Sequence, residues 1–291
     1  MAEIIFQNKD DSEKFYHHLL NELGITVNES IIIHNEDRYI VKINDQQLAK
    51  NQMEKVKAAF CQFILTIKRD DWFRSILQER YFYTDPYEVQ QIMEIVYSIL
   101  DGQREDLAAF LKRTIEDEQI KEAVDHVFQE NISLQFESFS KFRLRSYFEV
   151  LENYVGISID EYKMEQEYQM FVQTLRDFLK NRKAQIPVLH LLFDEEITFF
   201  YADFTEIKRA ELVKMIDRKL LFNHPVYIDS ASIAPLLSIA PTQIFFYAKD
   251  PEAPLVRTIK NIFEERVIFK PLHAFAKTDF AARMNQSGPK R

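Results

Sequence analysis

Glycine is nearly missing from this chain, with only Gly24, Gly102, Gly156 and Gly288 among 291 residues, where about 7% is usual. Close backbone approach to a pyrophosphate generally needs clustered glycines, and neither G-x-G nor G-x-x-x-x-G-K-[ST] occurs. Walker-type nucleotide triphosphatases and dinucleotide-dependent oxidoreductases are therefore strongly disfavoured. Cysteine is reduced to Cys61, inside the apolar run KAAFCQFILTI. No internal disulfide can form, and the usage fits a reducing compartment. No apolar run approaches the roughly 18 residues a membrane span requires, and the opening MAEIIFQNKDD turns acidic within its first residues. Neither a targeting segment nor a membrane span is expected, so the chain reads as cytoplasmic. Basic excess is lacking too: 37 Lys and Arg face 46 Asp and Glu, a net charge of −9, which opposes indiscriminate attraction to nucleic acid or acidic lipid. The seven histidines (17, 18, 34, 126, 190, 224 and 273) show no H-x-x-x-H or H-E-x-x-H spacing, and no metal or cofactor is expected.

Against these absences stand 46% hydrophobic and 13% aromatic residues, enough for a chain of this length to bury about three quarters of its unfolded surface. The fold class expected is α+β, in four stretches. Residues 1–46 read as an N-terminal α+β cap: a strand at EIIFQ, a helix placing Phe15, Leu19, Leu20 and Leu23 at helical spacing, and a strand pair in SIIIHNEDRYIVKI. Residues 47–183 read as a central helical domain. Its clearest boundary is TDPYEV, with Asp85 as N-cap, Pro86 at the first helical position and Glu88 reaching back. Residues 184–272 read as a C-terminal α/β domain with a partly parallel sheet. There VLHLLF and ITFFYA flank Asp194, Glu195 and Glu196 as a hairpin, and helices then alternate with PVYID, QIFFYA and RVIFK. Residues 273–291 read as a frayed tail.

The stretch FSKFRLRSYFEVLENYV, residues 139 to 155, interleaves Lys141, Arg143 and Arg145 with aromatic and aliphatic side chains. On one continuous helix at about 100° per residue, Phe139, Tyr147, Leu151 and Tyr154 share a core face, while Lys141, Arg145 and Glu149 face water. Arg143 falls inside the apolar half, where a guanidinium must be paired or snorkelling. If Gly156 turns an antiparallel helical hairpin, Glu167 is the acid nearest its register. Arg143 to Glu167 is thus the expected structural ion pair, with recognition of an anionic ligand or partner carboxylate as the alternative.

The same residues carry a likeness. FSKFRLRSYFEVLENYV, followed by IDEYKMEQEYQMFVQTLRDFL and later LLSIAPTQIFFYAKDPEAPLVRTIKNIFEERVIF, resembles the YtxC family of sporulation proteins from endospore-forming Firmicutes. The likeness covers much of residues 85 to 270. It departs from the family pattern at Gln166, where a basic residue would stand. The resemblance implies a cytosolic protein of spore-forming bacteria tied to sporulation. It implies no activity, cofactor or catalytic residue.

Three further constellations bear on chemistry. Asp194-Glu195-Glu196 with Glu206-Ile207-Lys208 has the order of a metal-dependent nuclease motif, but Thr205 reads as the N-cap of a helix containing Glu206, where a nuclease needs a strand. The carboxyl ends of the C-terminal strands, where open sheets bind ligands, hold Asp229, Ser230 and Lys249; Asp229, Ser230 and Asp250 also suit helix capping. YFYTDPY groups Tyr81, Phe82, Tyr83 and Tyr87 as a possible base-stacking platform, with core packing as the plainer reading. The reading adopted is a non-catalytic factor that binds a protein partner through Lys141, Arg143 and Arg145. A small-ligand sensor or enzyme using Asp229, Ser230 and Lys249 ranks second, and a nucleic-acid binder third.

Overall fold

Alternation in Ala2–Ile5, which buries Ala2 and Ile4, makes strand β1. Asn8 then starts helix α1 (Lys9–Leu23) by accepting a hydrogen bond from the Asp11 amide at 2.8 Å. The helix buries Phe15, Leu19 and Leu23 at i, i+4 and i+8 and stops at Gly24, whose φ of +75° suits glycine. Strands β2 (Ile32–Asn35) and β3 (Ile40–Ile43) follow.

The computed structural model describes residues 2–24, 32–44, 50–111, 116–129, 133–217 and 231–275. The chain divides into two units, Met1–Met164 and Glu165–Arg291. The division falls inside a helix, rather than at the change of hydrophobic period near residue 183.

In the first unit a helical run extends from Lys50 to Arg80. It comprises α2 (Lys50–Gln62), a π-helical turn over Phe63–Lys68, α3 (Arg69–Ser75) and a second π-helical turn over Ile76–Arg80. Helix α4 (Pro86–Leu100) starts as its sequence dictates, with the Asp85 carboxylate accepting from the amides of Tyr87 and Glu88. Short α5 (Glu105–Ala108) and α6 (Glu116–Gln129) follow, then strand β4 (Ser133–Gln135) and α7 (Phe136–Arg143). The sheet order is β2-β3-β1-β4, antiparallel except that β1 runs parallel to β4. Ile4, Phe6, Phe15 and Val41 share one core with Phe60, Phe63, Val96, Phe136 and Tyr147. The N-terminal strands thus pack on helices that the sequence reading assigns to the next stretch.

Two helical expectations need correction. Residues 139 to 155 are not one helix: α7 ends at Arg143, Leu144 leaves helical geometry (φ −102°, ψ 21°), and α8 begins at Arg145. The phase slips at that point, and Arg143 is exposed instead of lying on the core face. The hairpin about Gly156 is also absent, because α8 runs unbroken through Arg145–Lys180. A helical glycine costs only about 1 kcal/mol against alanine, which the buried face of Tyr147, Leu151, Val155, Ile159 and Tyr162 overrides.

In the second unit, β5 (Val188–Phe193) and β6 (Ile197–Phe200) form the expected hairpin, with Glu195 and Glu196 in its turn. Helices α9 (Arg209–Met215), α10 (Ile233–Ile239) and α11 (Pro254–Phe263) accompany β7 (Gln243–Ala248) and β8 (Val267–Pro271). The order is β6-β5-β7-β8, with β5, β7 and β8 mutually parallel. Leu189, Leu191, Ile244 and Phe246 pack one sheet face against Leu236, Leu237, Ile259 and the α8 residues Val172, Leu175 and Leu179. Two mixed sheets with many helices make the chain an α+β protein. Among the described residues no helix is long and apolar enough to cross a membrane.

Candidate functional site

The break at Leu144 builds a corner between α7 and α8, and a cavity of 410 Å³ lies there. Phe136 and Ser140 sit one turn apart on α7, and Arg145, Phe148 and Glu152 follow at helical spacing on α8. Trp72 of α3 adds an aromatic wall, its ring centroid 4.7 Å from that of Phe148 and 6.3 Å from that of Phe136, with which it stacks. The first π-helical turn contributes Lys68, a buried side chain whose ammonium donates to Asp11 Oδ1 at 2.8 Å and Asp71 Oδ2 at 2.9 Å. Asp11 is itself held by Asn8, which donates to its Oδ2 at 3.0 Å. Lys68 is therefore a compensated structural charge, as a buried ammonium must be.

The rim is different. Lys141 and Arg145 are both exposed. Arg145 meets Glu149 only loosely at 3.8 Å, a surface pair of little energetic weight. Of the acids lining the cavity, Glu152 is engaged by Arg80, and Glu137 Oε1 accepts from the Gln7 amide at 2.8 Å. Glu137 Oε2 is buried without a hydrogen-bond partner. An aromatic-walled recess with two accessible cations at its edge suits a carboxylate carried beside an apolar group. Of the three bases singled out in the sequence, Lys141 and Arg145 are brought together here. Arg143 is exposed at the end of α7 and does not line the cavity. Glu167 is exposed on α8 in the other unit, and without the hairpin the register that would place it opposite Arg143 does not arise.

In the second unit a cavity of 670 Å³ lies at the carboxyl end of β5, lined by Phe193, Glu195, Glu196, Glu206, Arg209 and Ser232 among others. Glu206 pairs with Phe200 in an extended bridge, and α9 starts only at Arg209, so the expected helix at Thr205 is corrected. Even so, among the described residues no group of three or more His, Cys, Asp or Glu side chains is placed to hold a metal. Asp229 and Ser230 lie outside the described residues. Lys249 is exposed after β7 and is not part of the lining. Asp250 accepts from the Glu252 amide at 2.9 Å, a local turn, while Ala253 occupies the N-cap of α11.

Sequence reasoning missed His190. It is 6% exposed on the β5 face opposite Leu189 and Leu191, with Nδ1 3.2 Å from the Tyr247 hydroxyl. Its ring lies against Phe204 and Phe245, at 4.1 and 5.0 Å between centroids. Burial, and then the nearby charge of Lys270, push its pKa down to about 4, so the imidazole is neutral at physiological pH. The signal was a lone polar residue in VLHLLF. YFYTDPY also differs from its plainer reading: Tyr83 is partly buried, but Phe82 and Tyr87 project into solvent.

The fold and these cavities define an α+β protein of two units, each with a recess. The YtxC-like family model matches residues 54–268. Over 296 residues the chain is 34% identical to a protein of Bacillus subtilis (strain 168) described as uncharacterized protein YtxC, covering 98% of this chain and 100% of that one. The chain belongs to the YtxC-like family. No solved structure matches it.

Proposed function

We propose that this chain is a non-catalytic protein-binding factor of the cytoplasm that serves sporulation, and that the α7–α8 corner receives an acidic group of its partner. The observation that carries the reading is the pair Lys141 and Arg145 at the rim of the aromatic-walled 410 Å³ cavity, with Arg143 exposed two residues from each. Paucity of glycine supports a role without phosphate chemistry. The sporulation assignment rests on the family resemblance alone.

The test is capture of tagged protein from sporulating cells after mild crosslinking, with and without nuclease. A Lys141→Glu/Arg145→Glu variant is run alongside. A near-stoichiometric, nuclease-resistant partner retained by the parent and reduced at least tenfold by the variant is expected. Equal retention by both chains removes the corner from the interface, and loss on nuclease treatment favours nucleic acid instead.

A second reading, a small-ligand sensor or enzyme, is favoured by the 670 Å³ cavity at the carboxyl end of β5, within the usual size range of ligand sites and in the position open α/β sheets use. A metabolite that raises the melting temperature of the parent but not of an Arg209→Ala chain would move this reading to first place.

A further inference from the structure

The chain leaves the second π-helical turn and reaches α4 through Tyr81–Asp85. Phe82, in the middle, has φ +60°, a left-handed backbone that bulky residues rarely adopt. Its ring is 79% exposed, so burial of the side chain does not explain the conformation. Its neighbours impose it. The Tyr81 amide donates to Ile76 O at 3.3 Å and the Tyr83 amide to Leu77 O at 3.0 Å. The Tyr81 hydroxyl lies 3.6 Å from where a β-carbon on Gly156 would stand, and Asp85 caps α4 immediately after. Backbone strain held in place by its surroundings and spent on exposing an apolar ring is a pattern of binding surfaces.

Tyr87, in the first turn of α4, is 69% exposed. Tyr83 meets Tyr162 edge-on at 6.4 Å, and the Tyr162 hydroxyl donates to Glu88 at 3.3 Å. Asp160 stands one helical turn after Gly156 on α8, and burial, then the charges of Glu88 and Asp160, raise the Tyr83 phenol above its ordinary pKa. Along residues 79–88 and 156–163, the carboxylates Glu79, Asp85, Glu88, Asp160 and Glu161 outnumber Arg80 and Lys163; Glu161 is taken by Arg104 at 2.8 Å, and Arg80 is already engaged by Glu152, so Glu88 and Asp160 keep their charge toward solvent. Exposed rings beside carboxylates favour a cation that can stack and pair at once. A second copy of this chain, at net charge −9, or a nucleic acid would be repelled.

We infer that Tyr81, Phe82 and Tyr87, with Glu88 and Asp160, form a docking surface for an arginine-bearing segment of a partner protein. The guanidinium lies over a ring and forks toward a carboxylate. The inference is independent of the Lys141 and Arg145 corner, which uses other residues and the opposite charge.

The probe is a fluorescein-labelled peptide of three arginines spaced by alanines, titrated with full-length protein by anisotropy at physiological salt. Lysine and glutamate versions of the peptide serve as comparators. Saturable binding is expected, tighter for arginine than for lysine and undetectable for glutamate. Phe82→Gly and Tyr87→Ala each weaken it at least tenfold. Because glycine takes positive φ freely, Phe82→Gly also raises Tm by about 2–4 °C, which separates loss of the ring from loss of the fold. Phe142→Ala, which removes another exposed ring, leaves binding unchanged. Absence of saturable binding, equal binding of lysine and arginine peptides, or parental affinity in Phe82→Gly overturns the inference.

Discussion

Both units carry a four-stranded mixed sheet, but different side chains fill them and the strands come from different distances along the chain. In the first unit β1 lies between β3 and β4 and pairs with a segment 130 residues away, Glu3 opposite Ser133. The core there is a cluster of phenylalanines, with Phe6, Phe15, Phe60, Phe63, Phe136 and Phe139 in successive ring contacts. A charge, Lys68, is buried beside them and matched by Asp11. In the second unit the parallel strands sit together and the antiparallel hairpin strand closes one edge. There the buried rings Phe199, Phe246 and Phe263 are set among aliphatic helix residues such as Leu236, Leu237, Ile239 and Ile259. The contrast is one of tolerance. Large rings in mutual contact leave few ways to close a void, whereas aliphatic layers repack more readily.

One truncation in each unit should separate the two cores by the largest margin. Phe136→Ala should cost about 4 kcal/mol, because its ring touches Phe6, Phe60, Phe63, Trp72 and Phe139. Phe246→Ala in the β7 core should cost less, about 3 kcal/mol. Hydrogen exchange should show protection lost mainly in residues 2–164 for the first and mainly in 165–275 for the second. Protection lost equally in both units for either variant would mean that the units do not unfold separately.

Acid sharpens the contrast by a smaller amount. His190 stays neutral in the folded chain down to about pH 4, while an unfolded histidine binds its proton near 6.5. Between those values the unfolded state holds more protons, so stability falls as pH drops from 6.5 towards 4 and is fully present above that window, a loss of roughly 3 kcal/mol at most. Urea midpoints of the parent should decline across this range, and those of His190→Phe should decline less. Burial also lowers the pKa of His34 in the first unit, which contributes in the same direction and is left untouched by the variant. A parallel decline in both chains would mean that His190 is not the titrating group.

The smallest effect expected is a gain. Gly156 lies within α8, and an added β-carbon would meet only the Tyr81 hydroxyl at 3.6 Å, an ordinary contact. Gly156→Ala should therefore stabilise the first unit by up to about 1 kcal/mol. A lower melting temperature would show that α8 needs glycine at that position.

Much of the second unit was legible because its elements are local. β5, β6, β7 and β8 alternate or run apolar between turn residues, and α11 follows a Pro at its first position. In the first unit, α4 was legible from Asp85 and Pro86 for the same reason, whereas the Glu88 carboxylate, expected to reach back to the cap, accepts instead from the Tyr162 hydroxyl. β4 was not: Ser133, Leu134 and Gln135 are too few to show a period, and only a partner 130 residues distant makes them a strand. Gly156 misled because its cost is small beside the buried face it belongs to. Arg143 misled because a single residue out of phase, Leu144, rotates everything before it. The corner site was half visible, since Lys141 and Arg145 are neighbours in sequence. Lys68 and Trp72 reach it from another helix altogether.

The pairing of β1 with β4 also fixes an order of events in synthesis. Ile5 finds Gln135 only after the ribosome has made nearly half the chain, roughly ten seconds' work at usual elongation rates. Through that interval β1 keeps an unpaired edge, the kind of edge that templates association with other chains. A ribosome halted before residue 135 would present that edge to its neighbours, and one that passes this point lets the chain close it with its own strand.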